Sequence, residues 1–259
     1  MRSLWKGAIS FGLVNVPVRM YAATDRQDIK FNYLHRVCGT PIRYRKMCPL
    51  CEQEVSQEDI VRGYQYAKDQ FVVLTEDELA RPENEEKAIN ILDFVELAQI
   101  DPVYYDKTYY LEPAEGGKKA YHLLLKAMEE AGKAAIAKVV IRSKEVIAAI
   151  RVYGQVLAME TMFYNDEVRS ISQLTGLEPV QVDERELKMA LELINNMATD
   201  FRPEGYRDTY RAALLERIEA KIQGRQITTP PQPQEEKVSD LLAALEASLK
   251  ATAPAGGRR

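Results

Sequence analysis

The chain has 259 residues, 46% of them hydrophobic, and a formal net charge of -4 at pH 7; that is enough apolar material for one large domain or two modest ones. No run approaches the roughly 18 apolar residues of a membrane span, and Ser10, Asn15, Pro17 and Arg19 interrupt the apolar start before a signal-peptide core is complete. A cytoplasmic protein is expected, with its three cysteines serving as reduced thiols for a metal or the core rather than as a disulfide scaffold.

In chain order, WKGAISFGLVNVPVRMYAA carries apolar residues on both parities, with Ile9, Phe11 and Leu13 on one and Val14, Val16 and Val18 on the other. This predicts strands covered on both faces, as in a barrel wall, with Pro17 near an edge or bend. Further strands are expected over Tyr64 to Leu74 and in the tyrosine-rich VYYDKTYYLEP. Gly116 and Gly117 mark a turn, after which KKAYHLLLKAMEEAG reads as a helix with Tyr121, Leu124, Leu125 and Met128 on one face and Gly132 as its stop. Three runs follow as a meander, 134–142, 145–153 and 155–164; in the first, Ala135, Ala137, Val139 and Ile141 share one face and Lys138, Val140 and Arg142 the other.

A helix is expected to start at an Asp183 cap, with Glu186 at the capping-box position and an apolar stripe through Leu187, Ala190, Leu191, Ile194 and Met197. Another spans about Arg207 to Gln223 and ends at Gly224. Residues 226–237 form a Pro-rich linker. Residues 238–259 hold a short amphipathic helix, with Ser239 as N-cap and Leu241, Leu242, Leu245 and Leu249 on one edge, followed by a flexible tail. An isolated helix of that length is marginal in water. Its edge must be buried, either on the body of this chain or in a partner's groove.

The stretch HRVCGTPIRYRKMCPLC, His35 to Cys51, holds every cysteine and one of two histidines. His35 and Cys38 are two residues apart, as are Cys48 and Cys51, and two such pairs supply the four ligands of a closed tetrahedral zinc site. The alternative is that the cysteines are small buried hydrophobes and His35 an incidental polar group. On the zinc reading, one structural zinc per chain pins the ends of a basic hairpin at 35–51, with Arg43 and Arg45 on one side and Lys46 on the other. Four protein ligands leave no open position for water, so such a metal is structural rather than catalytic.

Charge is segregated along the chain. Between Met1 and Cys51, Arg2, Lys6, Arg19, Arg26, Lys30, Arg36, Arg43, Arg45 and Lys46 face only Asp25 and Asp28. Acids dominate from Glu52 to Asp101, and a second basic stretch carries Lys133, Lys138, Arg142, Lys144 and Arg151 with Glu145 as its only acid. Either a positive lining lies inside a negative exterior, or solvated faces alternate in sign. Enzymatic signatures are scarce: EGGKKAY lacks the spacing and the Ser or Thr of a phosphate-binding loop, no nucleophile elbow is present, and His122 lies in an apolar helix.

WKGAISFGLVNVPV, AYHLLLKAMEEAGKAAIAKVVIRSKEVIAAIR, YNDEVR and VSDLLAALEASLK, in that order over nearly the whole chain, resemble bacterial Ku, the DNA-end-binding family of nonhomologous end joining. The resemblance implies a mixed, β-rich α+β fold in which a β-barrel core with bridging strands and peripheral helices fills 1–225. It implies a homodimer whose two cores form a ring that threads a duplex end, and a C-terminal segment that recruits and stimulates ligase D. The expected DNA contacts are Arg43, Arg45, Lys46, Lys133, Lys138, Arg142, Lys144 and Arg151, with no catalytic residues. The expected partner contacts are Leu241, Leu242, Leu245 and Leu249. Rival readings are a zinc-containing transcription regulator, which would show sequence preference, and a metal-dependent nuclease, which would degrade DNA.

Overall fold

The computed structural model describes residues 1–79, 87–141, 144–224 and 241–252. The chain divides into two compact units, Met1–Ile171 and Ser172–Arg259. This division falls inside the span 1–225 read as one core, and the linker at 226–237 lies outside the described residues.

The first unit is built on a closed seven-stranded barrel. Strands β1 (Trp5–Phe11) and β2 (Val14–Ala22) form an antiparallel hairpin that pairs Ile9 with Val16 and turns through Gly12, whose φ of 58° is cheap for glycine. Each strand buries one face, through Ile9 on β1 and Val16, Val18 and Met20 on β2, while Leu13 in the turn is fully exposed. The expectation of strands covered on both faces is therefore corrected. Cross-strand partners share a face, so a two-residue turn moves the inward set from odd to even numbers.

Two elements leave the barrel after β2. A separate hairpin pairs β3 (Arg62–Ala67) with β4 (Gln70–Leu74). The run read as one strand from Tyr64 is thus two, folded back beside Asp69, whose φ of 59° an aspartate tolerates. Helix α1 (Glu76–Leu79) follows, opened by a reciprocal cap in which Thr75 Oγ1 accepts from the Glu78 N–H and the Glu78 carboxylate accepts from the Thr75 N–H.

Strand β5 (Ala88–Glu96) closes the barrel, parallel to β1 and antiparallel to β7. It was not foreseen from the sequence, because an irregularity between Ile91 and Asp93 breaks its alternation. Strand β6 (Tyr105–Pro113) precedes helix α2 (Lys118–Ala131), which ends at Gly132 in the left-handed region, φ 64°. The meander is β7 (Lys133–Ile141), β8 (Lys144–Tyr153) and β9 (Val156–Met162), close to the expected bounds. Its inward faces, Ala135, Ala137, Val139, Ala148, Ile150, Leu157 and Met159, belong to one core with Ile9, Val16 and Leu111.

Helix α2 joins that core through Tyr121, Leu124, Leu125 and Met128. Tyr121 is the tie: its hydroxyl donates to the Leu111 carbonyl (2.6 Å) and accepts from the Leu157 N–H (2.8 Å). These bonds fasten the helix at the end of the barrel where β1 finishes and β6 finishes.

In the second unit, α3 (Glu184–Met197) is capped by Asp183, whose carboxylate accepts from the N–H groups of Arg185 and Glu186. Helix α4 (Thr209–Ile222) is capped by Asp208. Helix α5 (Leu241–Thr252) lies against α3, and Arg185 and Glu246 form an ion pair at 3.6 Å. Val238 and Ser239, read as part of that helix and its cap, lie outside the described residues. Among the described residues no helix is long and apolar enough to cross a membrane.

Candidate functional site

Between Tyr21 and Leu79 no residue is buried. Order there comes from backbone hydrogen bonds rather than from a core. The single hairpin expected at 35–51 is replaced by two consecutive turns, one on each ligand pair. In the first, the His35 N–H donates to the Thr40 carbonyl (2.9 Å), the Gly39 N–H to the His35 carbonyl (2.8 Å) and the Ile42 N–H to the Tyr33 carbonyl (3.0 Å). The second repeats these bonds position for position: Cys48 to Gln53 (2.9 Å), Glu52 to Cys48 (2.9 Å) and Val55 to Lys46 (2.8 Å). Isolated bridges Leu34–Pro41 and Met47–Glu54 close the two turns in the same register.

Each turn needs a left-handed residue directly after its second ligand. Gly39 (φ 67°) supplies it in one and Glu52 (φ 52°) in the other. The turns bring their ligands together in pairs. His35 Nδ1 lies 3.1 Å from Cys38 Sγ, and Cys48 and Cys51 share a thiol hydrogen bond. Hydrogen bonds from Thr40, side chain and backbone, and then from His35 lower the Cys38 pKa to about 7. The Cys51 thiol lowers that of Cys48, while Cys48 raises that of Cys51. Cys38 and Cys48 are thus shifted toward the thiolate that a soft divalent metal takes, and Cys51 away from it. Among the described residues, however, no three His, Cys, Asp or Glu side chains gather into one metal-binding group: the structure assembles the quartet two by two.

The sequence reading missed Thr40 and the left-handed positions. A glycine directly after Cys38 signalled the first; nothing about a glutamate after Cys51 signalled the second.

The basic residues of this segment are exposed. Arg45 pairs with Glu54 at 3.1 Å, Lys46 hydrogen-bonds Gln57, and Arg43 lies between the two turns. The meander cations do not share a face. Lys138 and Arg151 lie in outward rows, beside the inward residues Ala137 and Ile150, whereas Lys133 and Lys144 continue the inward rows at opposite ends of the barrel. Each has a carboxylate neighbour: Lys133 with Glu96, Lys138 with Glu145 (3.3 Å), Lys144 with Glu167 (3.5 Å) and Arg151 with Glu160 (2.8 Å). Arg142 lies outside the described residues.

The Arg151 pair differs from the rest. Glu160 is only 4% exposed, one of its oxygens has no hydrogen-bond partner among the described residues, and Arg151 also lies 5.2 Å over the Tyr153 ring. Burial raises the Glu160 pKa, with Arg151 partly offsetting it. On α5, Leu242, Leu245 and Leu249 are half-buried; Leu241 opens the helix.

Comparisons with known proteins align with this architecture. The family model for the Ku70/Ku80 beta-barrel domain matches residues 10–189. Proteins named Non-homologous end joining protein Ku include one from Symbiobacterium thermophilum, 49% identical over 97% of this chain and 63% of its own length. The Bacillus subtilis protein is 45% identical over 97% of this chain and 83% of its own, and the Mycobacterium tuberculosis protein 40% identical over 98% and 97%. The chain thus spans less than two thirds of the Symbiobacterium relative.

Proposed function

This chain belongs to the Ku family, and from that premise we propose that it is a non-catalytic clamp for the ends of double-stranded DNA in nonhomologous end joining. Two copies form a ring through which a duplex end is threaded. The observation that carries the reading is the family match, which runs through all strands of the meander and into the second unit. Exposed apolar surface supports a second copy: Tyr64, Tyr66 and Phe71 on the β3–β4 hairpin, and Leu187, Leu191 and Ile194 on α3, are each more than half exposed.

A clamp that accepts any broken end reads phosphates rather than bases, because phosphate contacts position a protein without specifying sequence. Counterion release supplies the affinity, which falls steeply with salt. Arg43, Arg45, Lys46, Lys133, Lys138, Arg142 and Lys144 are proposed as phosphate contacts. The exposed ion pairs among them are worth at most about 1 kcal/mol each, so a phosphate can displace the carboxylate. Arg151 belongs to the same group with the most tightly held partner.

The test is a comparison of linear duplex with a closed circle of equal length at several salt concentrations. Strong preference for the linear form is expected at every salt, and equal affinity would overturn the ring.

Two further parts of the reading have separate tests. The matched turns at His35–Cys38 and Cys48–Cys51 support a structural zinc joining the two pairs; elemental analysis is expected to give about one zinc per chain, and a metal-free protein would remove it. The amphipathic edge Leu241, Leu242, Leu245 and Leu249 is proposed to dock ligase D, exchanging its contact with α3 for the ligase. Truncation after Pro233 is expected to preserve DNA binding and lower ligase stimulation, whereas unchanged stimulation would count against the docking role.

A further inference from the structure

The two ends of the barrel are finished differently. At the end where β1 and β6 terminate, α2 seals the interior with Tyr121, Leu124, Leu125 and Met128. At the opposite end, where β1 and β8 begin, no helix among the described residues plays this part. There the inward rows open into a cavity of about 730 Å³, within the range that small-molecule sites occupy.

The lining combines three chemistries. Apolar and aromatic surface comes from Trp5, Met20, Tyr109 and Val146. A hydroxyl comes from Thr161, which accepts from the Lys107 N–H (3.2 Å) and donates to the Lys107 carbonyl (3.3 Å). Arg26, Lys107 and Lys144 bring positive charge to the same lining, with Asp106 3.9 Å from Lys107. Lys107 and Lys144 continue inward-facing rows, on β6 opposite Thr161 and on β8 opposite Ile141. Cations on the inward parity of a barrel are costly unless solvated or paired; both are solvated here, with side chains 64% and 70% exposed.

The indole is held in place from below. Trp5 and Gly7 follow one another on the inward face of β1, and a Cβ on Gly7 would come within 2.2 Å of the Trp5 ring and 2.0 Å of the Lys87 carbonyl. Only glycine leaves room beside the strand for the ring, which lines the cavity.

We propose that this open end of the barrel binds a nucleotide. The base stacks against Trp5 and the apolar wall, the phosphate is held by Lys107, Lys144 and Arg26, and Asp106 accepts from a sugar hydroxyl. The existing ion pairs of Lys107 with Asp106 (3.9 Å) and Lys144 with Glu167 (3.5 Å) are solvent-exposed and yield readily to a phosphate. Stacking on an aromatic ring tolerates any base, so selectivity here is for phosphate plus base rather than for one base. The same chemistry can come from a free nucleotide or from the unpaired last nucleotide of a DNA strand; only the second source rests on the end-binding reading.

Trp5 is the single tryptophan of the chain, so fluorescence excited selectively at tryptophan, beyond the absorption of the 14 tyrosines, reports on this cavity. The full-length protein is titrated with AMP, ATP, adenosine, inorganic tripolyphosphate, blunt duplex and duplex with a one-nucleotide overhang. Saturable quenching by AMP or ATP assigns the free source; quenching by the overhang and not by the blunt duplex or free nucleotides assigns the strand-borne one. In either case Lys107→Gln with Lys144→Gln is expected to weaken binding by on the order of tenfold, while the circular dichroism spectrum stays unchanged. The proposal is overturned if no nucleotide-bearing ligand gives saturable quenching, if tripolyphosphate or adenosine binds as well as ATP when the response is to free nucleotides, or if the double variant binds as tightly as the parent. Linear-duplex binding measured alongside keeps this failure distinct from failure of the end-binding reading.

Discussion

The barrel and the segment that leaves it between Tyr21 and Leu79 belong to the same compact unit, yet they are stabilised in different ways. Barrel residues such as Ile9, Val18, Leu111 and Leu157 are completely buried, whereas the excursion has no buried residue and exposes Tyr64, Phe71 and Val73. Apolar burial at about 25 cal/mol per Å² dominates the first. Turns closed by backbone hydrogen bonds, each worth about 1 kcal/mol net, order the second. A segment of the second kind has no core to lose when one side chain is removed.

The sharpest test of that contrast pairs one deletion in each region. Leu157→Ala is expected to cost about 2–5 kcal/mol in urea unfolding, through lost transfer energy and a residual cavity. Phe71→Ala, at a side chain left 60% exposed, is expected to stay within about 0.5 kcal/mol. A large effect of Phe71→Ala that grows with protein concentration would show that a second copy covers the hairpin, and the comparison would then be between a permanent core and one made on assembly.

A smaller effect is expected where α2 is tied to the barrel. Tyr121→Phe keeps the ring and removes both hydrogen bonds of the hydroxyl, to the Leu111 carbonyl and from the Leu157 N–H. Leaving buried backbone groups unpaired costs about 1–3 kcal/mol. The loss is expected in the barrel's unfolding free energy, and hydrogen exchange at Leu157 is expected to accelerate while the turns at 35–53 are unaffected.

How much of this was legible follows the same divide. Elements whose side chains alternate or recur against one core were readable: the meander, α2 with Tyr121, Leu124, Leu125 and Met128, and α3 with its Asp183 cap. Strand β5 was not, since an irregularity after Ile91 scrambles its period and its partner β1 is parallel and far away in sequence. The ligand spacing of His35, Cys38, Cys48 and Cys51 was visible, but the repeated turn geometry depends on φ at Gly39 and Glu52, and only glycine advertises that. Counting cations by segment did not reveal that Lys138 and Lys144 lie in opposite rows of one sheet; register decides this. The open barrel end escaped notice because its lining comes from several strands distant in sequence.

The buried pair on the outer face of the barrel gives a pH signature that the excursion lacks. Burial raises the Glu160 pKa above its ordinary value despite Arg151, so the folded state holds that proton more tightly than the unfolded chain does. The resulting stability is fully present below the unfolded pKa of about 4.3 and is lost as pH rises through the folded value. Relative to Glu160→Gln, which cannot titrate, the parent is expected to lose stability over that window, measured by urea unfolding at successive pH values. Parallel curves for the two proteins would place the carboxylate in a better-solvated site than its 4% exposure indicates.

The smallest stability effect is expected at Arg45, and it separates folding from binding. The Arg45–Glu54 pair is 3.1 Å long with side chains 74% and 54% exposed, and such pairs contribute about 0–1 kcal/mol because solvent screens them and side-chain entropy opposes them. Arg45→Ala is therefore expected to leave unfolding within about 0.5 kcal/mol. If Arg45 meets a phosphate in the clamp, the same substitution weakens duplex binding uniformly across sequences and reduces the salt slope by about 1. A variant that unfolds like the parent but binds with a shallower salt dependence would show that the excursion's charges serve the ligand rather than the fold. A variant changed in stability and unchanged in salt slope would move Arg45 to the structural side of the divide.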